Sequence, residues 1–222
     1  MKSPQRNKNI EQLKKEIAYF MRRLYRQFLT TTSGGNISAV FDENTVLLTA
    51  SATDKAKINS KEIISLDMNG NVFSDNPALP VSIENRMHLG IYEVRPDARA
   101  IVHAHPIYAS ALSASKIQIR CDLIAETRAV LAEIAYAEYS LMGSQTLAQV
   151  VANSAKKSDC IVMRNHGVIA IGKNLLQAFD RIEVLEAAAK MTVLHEGALK
   201  NSTIPLSNEK LIELDRMMGR ER

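Results

Sequence analysis

The tightest constraint on the fold is the length of the links between short, branched apolar runs. Residues 37–41 and 45–50 are rich in Val, Leu and Ile, and only Asp42-Glu43-Asn44 separates them. Residues 159–163 and 168–171 form a second pair around Arg164-Asn165-His166-Gly167. A crossover between parallel strands needs about a dozen residues or more, so neighbours this close must pair antiparallel. Asn69-Gly70, a favoured tight-turn dipeptide, gives a third hairpin signal between residues 62–67 and 72–73. Further strands are expected at residues 99–103 and 132–137.

Helical stripes surround these runs. Ile10, Leu13, Ile17, Phe20, Leu24 and Phe28 recur at spacings of three and four, which predicts a helix over residues 8–29. Ser82 reads as the N-cap of a helix running to residue 94, with Pro96 as its stop. Pro106 is placed to open another helix in its first turn. Further helices are expected at 147–155, 175–196 and 207–218, and a loop at 75–80. No linker, internal repeat or low-complexity segment divides the chain between residues 9 and 218. The reading is one α/β domain over residues 1–222, its sheet mainly antiparallel or mixed.

Composition narrows the function. At 222 residues the chain can bury roughly 70% of its unfolded surface, so it needs no disulfide or metal to fold. Cys121 and Cys160 form no CxxC pair, which fits a reducing compartment. No apolar run approaches the ~20 residues that span a bilayer. The polar start, residues 1–12, does not read as a secretory signal, so a cytoplasmic location is expected. The net charge is +4 and the pI about 9.0, but the basic stretches lie near the ends, at 2–15, 22–26 and 216–222. Aromatics make up 5% with no Trp, poor material for stacking on bases. Neither a nucleic-acid nor a membrane partner is expected.

The chemistry concentrates at His103-Ala104-His105. Residues two apart on a strand project from one face, so both imidazoles can reach one ion. His166, at the turn between two strands, is a natural third ligand, with Gly167 permitting a close backbone approach. Glu84, at the start of a helix, can bring a carboxylate. Three imidazoles and a carboxylate suit zinc or a similar divalent ion such as Mn²⁺ or Co²⁺. His88 lies four residues after Glu84 on the same helical face, as a fourth ligand or an outer partner, the latter favoured. His195 reads as a helix-end residue. The turn Ser33-Gly34-Gly35-Asn36, the strand end Thr49-Ala50-Ser51 and the helix start at Ser82 each offer anion-binding groups. Together with a metal they suggest a phosphorylated small substrate.

In this order Gly35-Asn36-Ile37-Ser38, Thr49-Ala50-Ser51-Ala52, the run from Pro80 to His88, His103-Ala104-His105 and Asn165-His166-Gly167 resemble the class II aldolase family, which holds fuculose-phosphate aldolases and ribulose-phosphate 4-epimerases. The resemblance covers about residues 10–200. It implies a three-layer α/β/α domain, usually a homotetramer with active sites at subunit interfaces, and a sugar-phosphate partner. It implies a metal held by His103, His105 and His166. Glu84 would reach that metal in the absence of substrate and act as the base. Gly35, Asn36, Ser51 and Ser82 would line the phosphate pocket. The implied reaction is retro-aldol cleavage of a ketose 1-phosphate, L-fuculose-1-phosphate-like, to dihydroxyacetone phosphate and an aldehyde through an enediolate whose charge the metal spreads.

The chain departs from the family at three points. Ile83 stands where a second serine is common, and Ala52 where a glycine is. Fuculose-phosphate aldolases take a tyrosine from the neighbouring subunit as proton donor, but residues 120–129 and 201–222 contain none. Glu126 and Arg128 occupy the first region; water, Tyr136 or Tyr139 is left as the donor, or else the reaction differs. Pentulose-phosphate 4-epimerases, which typically carry Asp at the position of Glu84, and methylthioribulose-1-phosphate dehydratases are the enzymatic alternatives. An adducin-head-like interaction module is the non-catalytic alternative, and it predicts loss of the metal ligands.

Overall fold

The computed structural model describes residues 4–73, 78–199 and 202–220. The loop expected over 75–80 lies partly outside them, at 75–77. The seven strands are β1 (Asn36–Asp42), β2 (Thr45–Thr49), β3 (Ile63–Leu66), β4 (Ala100–Ala104), β5 (Ile134–Ala137), β6 (Cys160–Met163) and β7 (Gly167–Gly172). They form one sheet in the order β3-β2-β1-β4-β7-β6-β5. Every neighbouring pair is antiparallel except β5 and β6. The connection of that parallel pair contains the α-helix that a crossover needs, α5 (Gln145–Ala155). The sheet is therefore mixed and mainly antiparallel, as the short turns require.

Side chains alternate across the strands and divide the core in two. Ile37, Ala39, Val102, Ala104, Val162 and Ala170 face one side. Residues of α1 (Pro4–Arg26), α3 (Ile107–Ser113) and α6 (Leu175–Gly197) cover them, including Ile17, Leu24, Ala109, Phe179 and Leu185. Ile101, Ile161, Ile169 and Ile171 face the other side, against α2 (Asn85–Val94) and α5. The result is the expected three-layer α/β/α arrangement. Fully burying a side chain such as Phe179 contributes about 1.5–3 kcal/mol, so both layers hold the sheet. Among the described residues no helix is long and apolar enough to cross a membrane.

Several boundaries differ from the sequence reading. The first helix stops at Arg26 because Phe28 turns left-handed, at φ 58, and Leu29 N–H returns to Leu24 C=O at 2.9 Å. Ser82 is not the N-cap of α2; Glu84 is, without a side-chain cap bond. The Ser82 hydroxyl instead accepts from Glu84 N–H at 3.3 Å, in the turn that delivers Glu84. Pro106 sits one position before α3 as its N-cap. The carboxylate of Glu186, from α6, then accepts from Tyr108 and Ala109 N–H, each at 2.9 Å. The turn at Asn69-Gly70 forms, but its second arm is a single bridge, Leu66 to Val72. A helix α4 (Ala125–Leu131), absent from the sequence reading, precedes β5 and packs against α6 and α7 (Asn208–Met217).

Candidate active site

Two central strands and one helix build the site. Asn36 on β1 pairs with His103 on β4, so both project from the sheet face that carries Ile101. The helix over that face brings Glu84, His88 and Tyr92, spaced by four residues and therefore stacked along one side. His166 comes from the β6–β7 turn, where Asn165 adopts φ 54. These segments meet at the ends of β1, β4 and β7.

The ligating atoms of His103, His105 and His166 lie within 4.8 Å of one another. Glu84 Oε1 is 2.9 Å from His166 Nε2, and Glu84 Oε2 is 3.3 Å from His103 Nε2. Neither contact aligns as a hydrogen bond: Glu84 Oε1, His103 Nε2 and both ring nitrogens of His166 are buried without partners among the described residues. Buried polar atoms left bare are costly, and a shared cation is the group that would satisfy Glu84 Oε1, His103 Nε2 and His166 Nε2 together. His103 Nδ1–H donates to Val168 C=O at 2.9 Å, which fixes the tautomer and leaves the Nε2 lone pair facing the cluster. The three histidines can thus hold a divalent metal ion, as expected from the sequence.

Glycine makes the convergence possible. A Cβ on Gly167 would lie 2.5 Å from His105 Cδ2 and 2.6 Å from Ala104 C=O. A Cβ on Gly35, itself at φ +67, would lie 2.8 Å from His103 C=O. Either contact would push a ligand strand away.

Behind the ligands runs a buried chain of hydrogen bonds. Tyr92 OH is 2.8 Å from Ser38 Oγ, and Ser38 Oγ is 2.7 Å from His88 Nδ1. His88 Nε2 contacts Asn36 Oδ1, and Asn36 Nδ2 donates to Glu84 Oε2 at 2.7 Å. Asn36 Oδ1 can only accept, so His88 Nε2 carries the proton; Nδ1 then accepts from Ser38, whose oxygen accepts from Tyr92. Every donor has one acceptor, and the direction fixes the Asn36 amide with its nitrogen toward Glu84. Burial lowers the His88 pKa to about 3 and keeps the ring neutral, as this chain requires. His88 is therefore an outer partner of the site and not a ligand. Burial alone would raise the Glu84 carboxyl pKa. His103 and His166 beside it and the hydrogen bond from Asn36 outweigh burial and hold it well below the usual carboxylate range. Burial, then the neighbouring His103 and His166, brings His105 down to about 3.

A cavity of about 270 Å³ opens beside these groups. Gly35, Asn36, Ser51 and Ser82 line it together with Glu84, His105 and His166. All four residues assigned to the phosphate pocket thus border one space with the histidine cluster. Ile83 also lines it, where the family often has serine. Ala52 takes φ 53, the left-handed geometry that glycine adopts most readily. Ser33 and Gly34, from the turn named in the sequence, also line the cavity, whereas sequence reasoning missed Lys55 and Met142 on its wall, and Tyr92 behind it. Neither candidate proton donor lines the cavity: Tyr136 OH accepts from Ile119 N–H at 2.8 Å, and Tyr139 is exposed. Glu126 is exposed on α4, and Arg128 binds Asp215 of α7. His195 Nδ1 lies 2.7 Å from Thr203 Oγ1 near the end of α6, a helix-end residue as expected.

Comparison with known proteins fits this geometry. A curated relative named L-fuculose phosphate aldolase, from Methanocaldococcus jannaschii, is 34% identical over 182 residues, spanning 82% of this chain and 96% of that protein. Another, from Haemophilus influenzae, is named 3-oxo-tetronate 4-phosphate decarboxylase and is 30% identical over 187 residues, spanning 79% of this chain and 84% of the relative. A solved structure named L-fuculose 1-phosphate aldolase superposes with a TM-score of 0.84 at 29% identity, covering 94% of this chain and 96% of its own. These relatives are enzymes, and the metal-ligand set whose loss a non-catalytic module predicts is present. The family description Class II Aldolase and Adducin N-terminal domain matches residues 15–193. From the first helix to the end of α6, the chain belongs to the class II aldolase family.

Proposed function

We propose that the chain is a metal-dependent aldolase that cleaves a ketose 1-phosphate of the L-fuculose 1-phosphate kind to dihydroxyacetone phosphate and an aldehyde, reversibly. The observation that carries this reading is the cluster of buried, partnerless atoms, Glu84 Oε1, His103 Nε2 and His166 Nε2, beside the 270 Å³ cavity. His103, His105 and His166 would hold a divalent metal, with zinc the first choice and Mn²⁺ or Co²⁺ alternatives. When bound, that metal supplies Lewis-acid stabilisation of the negative charge that develops on oxygen as the carbon–carbon bond breaks.

The chain's own residues do the remaining work. Glu84 would also reach the metal when substrate is absent, and it is the acid–base group. Its carboxylate is ionised and held by Asn36, so Oε1 can take a proton in the synthetic direction and return it to carbon after cleavage. Gly35, Asn36, Ser51 and Ser82 bind the phosphate, whose binding energy positions the reacting carbons. Burial around His103 and Glu84 keeps bulk water from the developing carbanion. The chain acts as one domain over residues 1–222, core about 10–200, in a cytoplasmic homotetramer with its sites at subunit interfaces.

The Haemophilus relative supports a second reading. Decarboxylation beside a carbonyl leaves the same kind of electron pair and calls on the same residues. Glu84 keeps a 4-epimerase in third place, with a methylthioribulose-1-phosphate dehydratase beside it. The test is a retro-aldol assay of the metal-loaded chain against a panel of ketose 1-phosphates, read by dihydroxyacetone phosphate release, with a chelator control. Chelator-sensitive release is the expected result. Bound metal with no release from any member, but with CO₂ release from a 3-oxo-tetronate 4-phosphate, would replace the aldolase reading.

A further inference from the structure

Lys55 is buried to 1% exposure, yet no part of the proposed chemistry uses it. A buried ammonium normally has a carboxylate partner. Here, among the described residues, none lies within ion-pair distance; the structure gives Nζ two neutral oxygens, Ala50 C=O and Thr53 Oγ1, each at 2.9 Å. An ammonium has three N–H donors, so one is left over. Lys55 lines the same cavity as Gly34, Gly35, Ser51 and Ser82. Its backbone N–H donates to Thr32 C=O at 2.9 Å, which ties its loop to the glycine turn on that wall. Glu84 is the one carboxylate among the described residues lining the cavity, and His103, His166 and Asn36 already engage it.

We propose that Lys55 is the cation that makes this cavity select a phosphate monoester, its third N–H completing the set of donors from Ser51, Ser82 and the glycine turn. This rests on the phosphate-pocket reading above and adds to it the residue that supplies charge. Burial draws the amine down to about 8 against the opposing charge of Glu62, which makes no ion pair with it, and an incoming dianion reverses that penalty. A hydroxyl pocket alone would accept an unphosphorylated sugar nearly as well; a buried, unpaired cation penalises an empty or neutral-filled cavity.

The test uses the metal-loaded chain and inorganic phosphate as the probe, by calorimetric titration. Lys55→Met keeps the stem and removes all donors; Lys55→Gln keeps a donor without charge and serves if the methionine variant fails to fold. Thermal midpoint and metal stoichiometry are followed in each. The expected result is 1:1 phosphate binding in the unaltered chain, weakened roughly 10- to 100-fold in Lys55→Met, with metal stoichiometry unchanged. Turnover should lose preference for a phosphorylated sugar over its unphosphorylated counterpart by a similar factor. A loop-bracing role would lower both substrates alike. Phosphate affinity within twofold of the unaltered chain would overturn the assignment of Lys55. If Ser51→Ala and Ser82→Ala still weakened phosphate binding, the pocket reading would survive that result. If the unaltered chain bound no phosphate, both would fall.

Discussion

Replacing His88 with leucine tests whether the chain from Tyr92 to Glu84 sets up the site. Leucine roughly fills the imidazole's space but can neither donate nor accept. Two bonds vanish, to Ser38 Oγ and to Asn36 Oδ1, in a region of 0% exposure at His88. Ser38 keeps Tyr92; Asn36 Oδ1 is stranded. A stranded buried acceptor costs about 1–3 kcal/mol, and the loss should be near 2 kcal/mol if little cavity forms. The Asn36 amide is then free to rotate, and Glu84 Oε2 loses its fixed donor. Outer partners of metal sites typically cost about 10- to 100-fold in affinity or activity, so metal binding or turnover should fall by that range. Urea unfolding of the metal-free chain gives the first figure, and competition with a chromophoric chelator gives the second. A double cycle with Asn36→Leu should return a coupling of at least about 1 kcal/mol, because the two residues share a bond. A variant as stable as the parent, binding metal equally well, would refute the directional relay and leave His88 as core filling.

Glu84→Gln should retain metal on the three imidazoles but lose about 10²–10⁴ in turnover; near-normal rates would remove Glu84 from proton transfer. Gly167→Ala puts a methyl 2.5 Å from His105 Cδ2, so metal affinity should drop at least about tenfold and stability by about 1–3 kcal/mol, checked by chelator competition and denaturant unfolding. Ala52→Gly should stabilise the chain by about 0.5 kcal/mol, since roughly 1 kcal/mol of left-handed strain is relieved at some cost in unfolded-state freedom; a lower thermal midpoint would contradict this. The hydrogen bond from Arg128, then the charges of Arg128 and Arg220, outweigh burial and hold the Asp215 carboxyl below its ordinary value. Its stabilisation is present above the unfolded carboxylate pKa and is lost as pH falls through the lower folded value. Amide protection over residues 208–217, taken relative to the intrinsic exchange rate at each pH, should therefore fall in acid and stay flat from neutral pH upward.

The features legible in the sequence were those written in local spacing. Three- and four-residue turns dictated the antiparallel pairs, the stripe from Ile10 to Leu24 dictated α1, and His103-Ala104-His105 placed two imidazoles on one strand face. What escaped was written in contacts across the chain. Helix α4 has seven residues, too few for a stripe over two full turns, and Thr127 ties it locally through Cys121 and Ile124 C=O. Lys55 lies among Asp54, Ala56 and Lys57, a run that reads as solvated loop; only the fold turns one of its lysines inward. Ser82 offered a good cap, but the turn that aims Glu84 at the histidines overrode it. Met142 reaches the cavity from a loop after β5, with no local sign of that destination.

The site's residues come from positions 36, 84, 103 and 166, and each turn or strand end that carries them is fixed only once β1, β4 and β7 lie side by side. Only His103 and His105 are neighbours in the unfolded chain; His166, Glu84 and Asn36 join them when the sheet closes, so the full ligand set belongs to the folded topology. A bound ion would then work as a latch on the whole topology. At a free metal concentration 1,000 times its dissociation constant, it adds about 4 kcal/mol to unfolding. Long-range pairings of this kind form slowly, so a chain on its way to the native sheet lacks the complete ligand set, and occupancy of such a site would report the molecules that have finished folding.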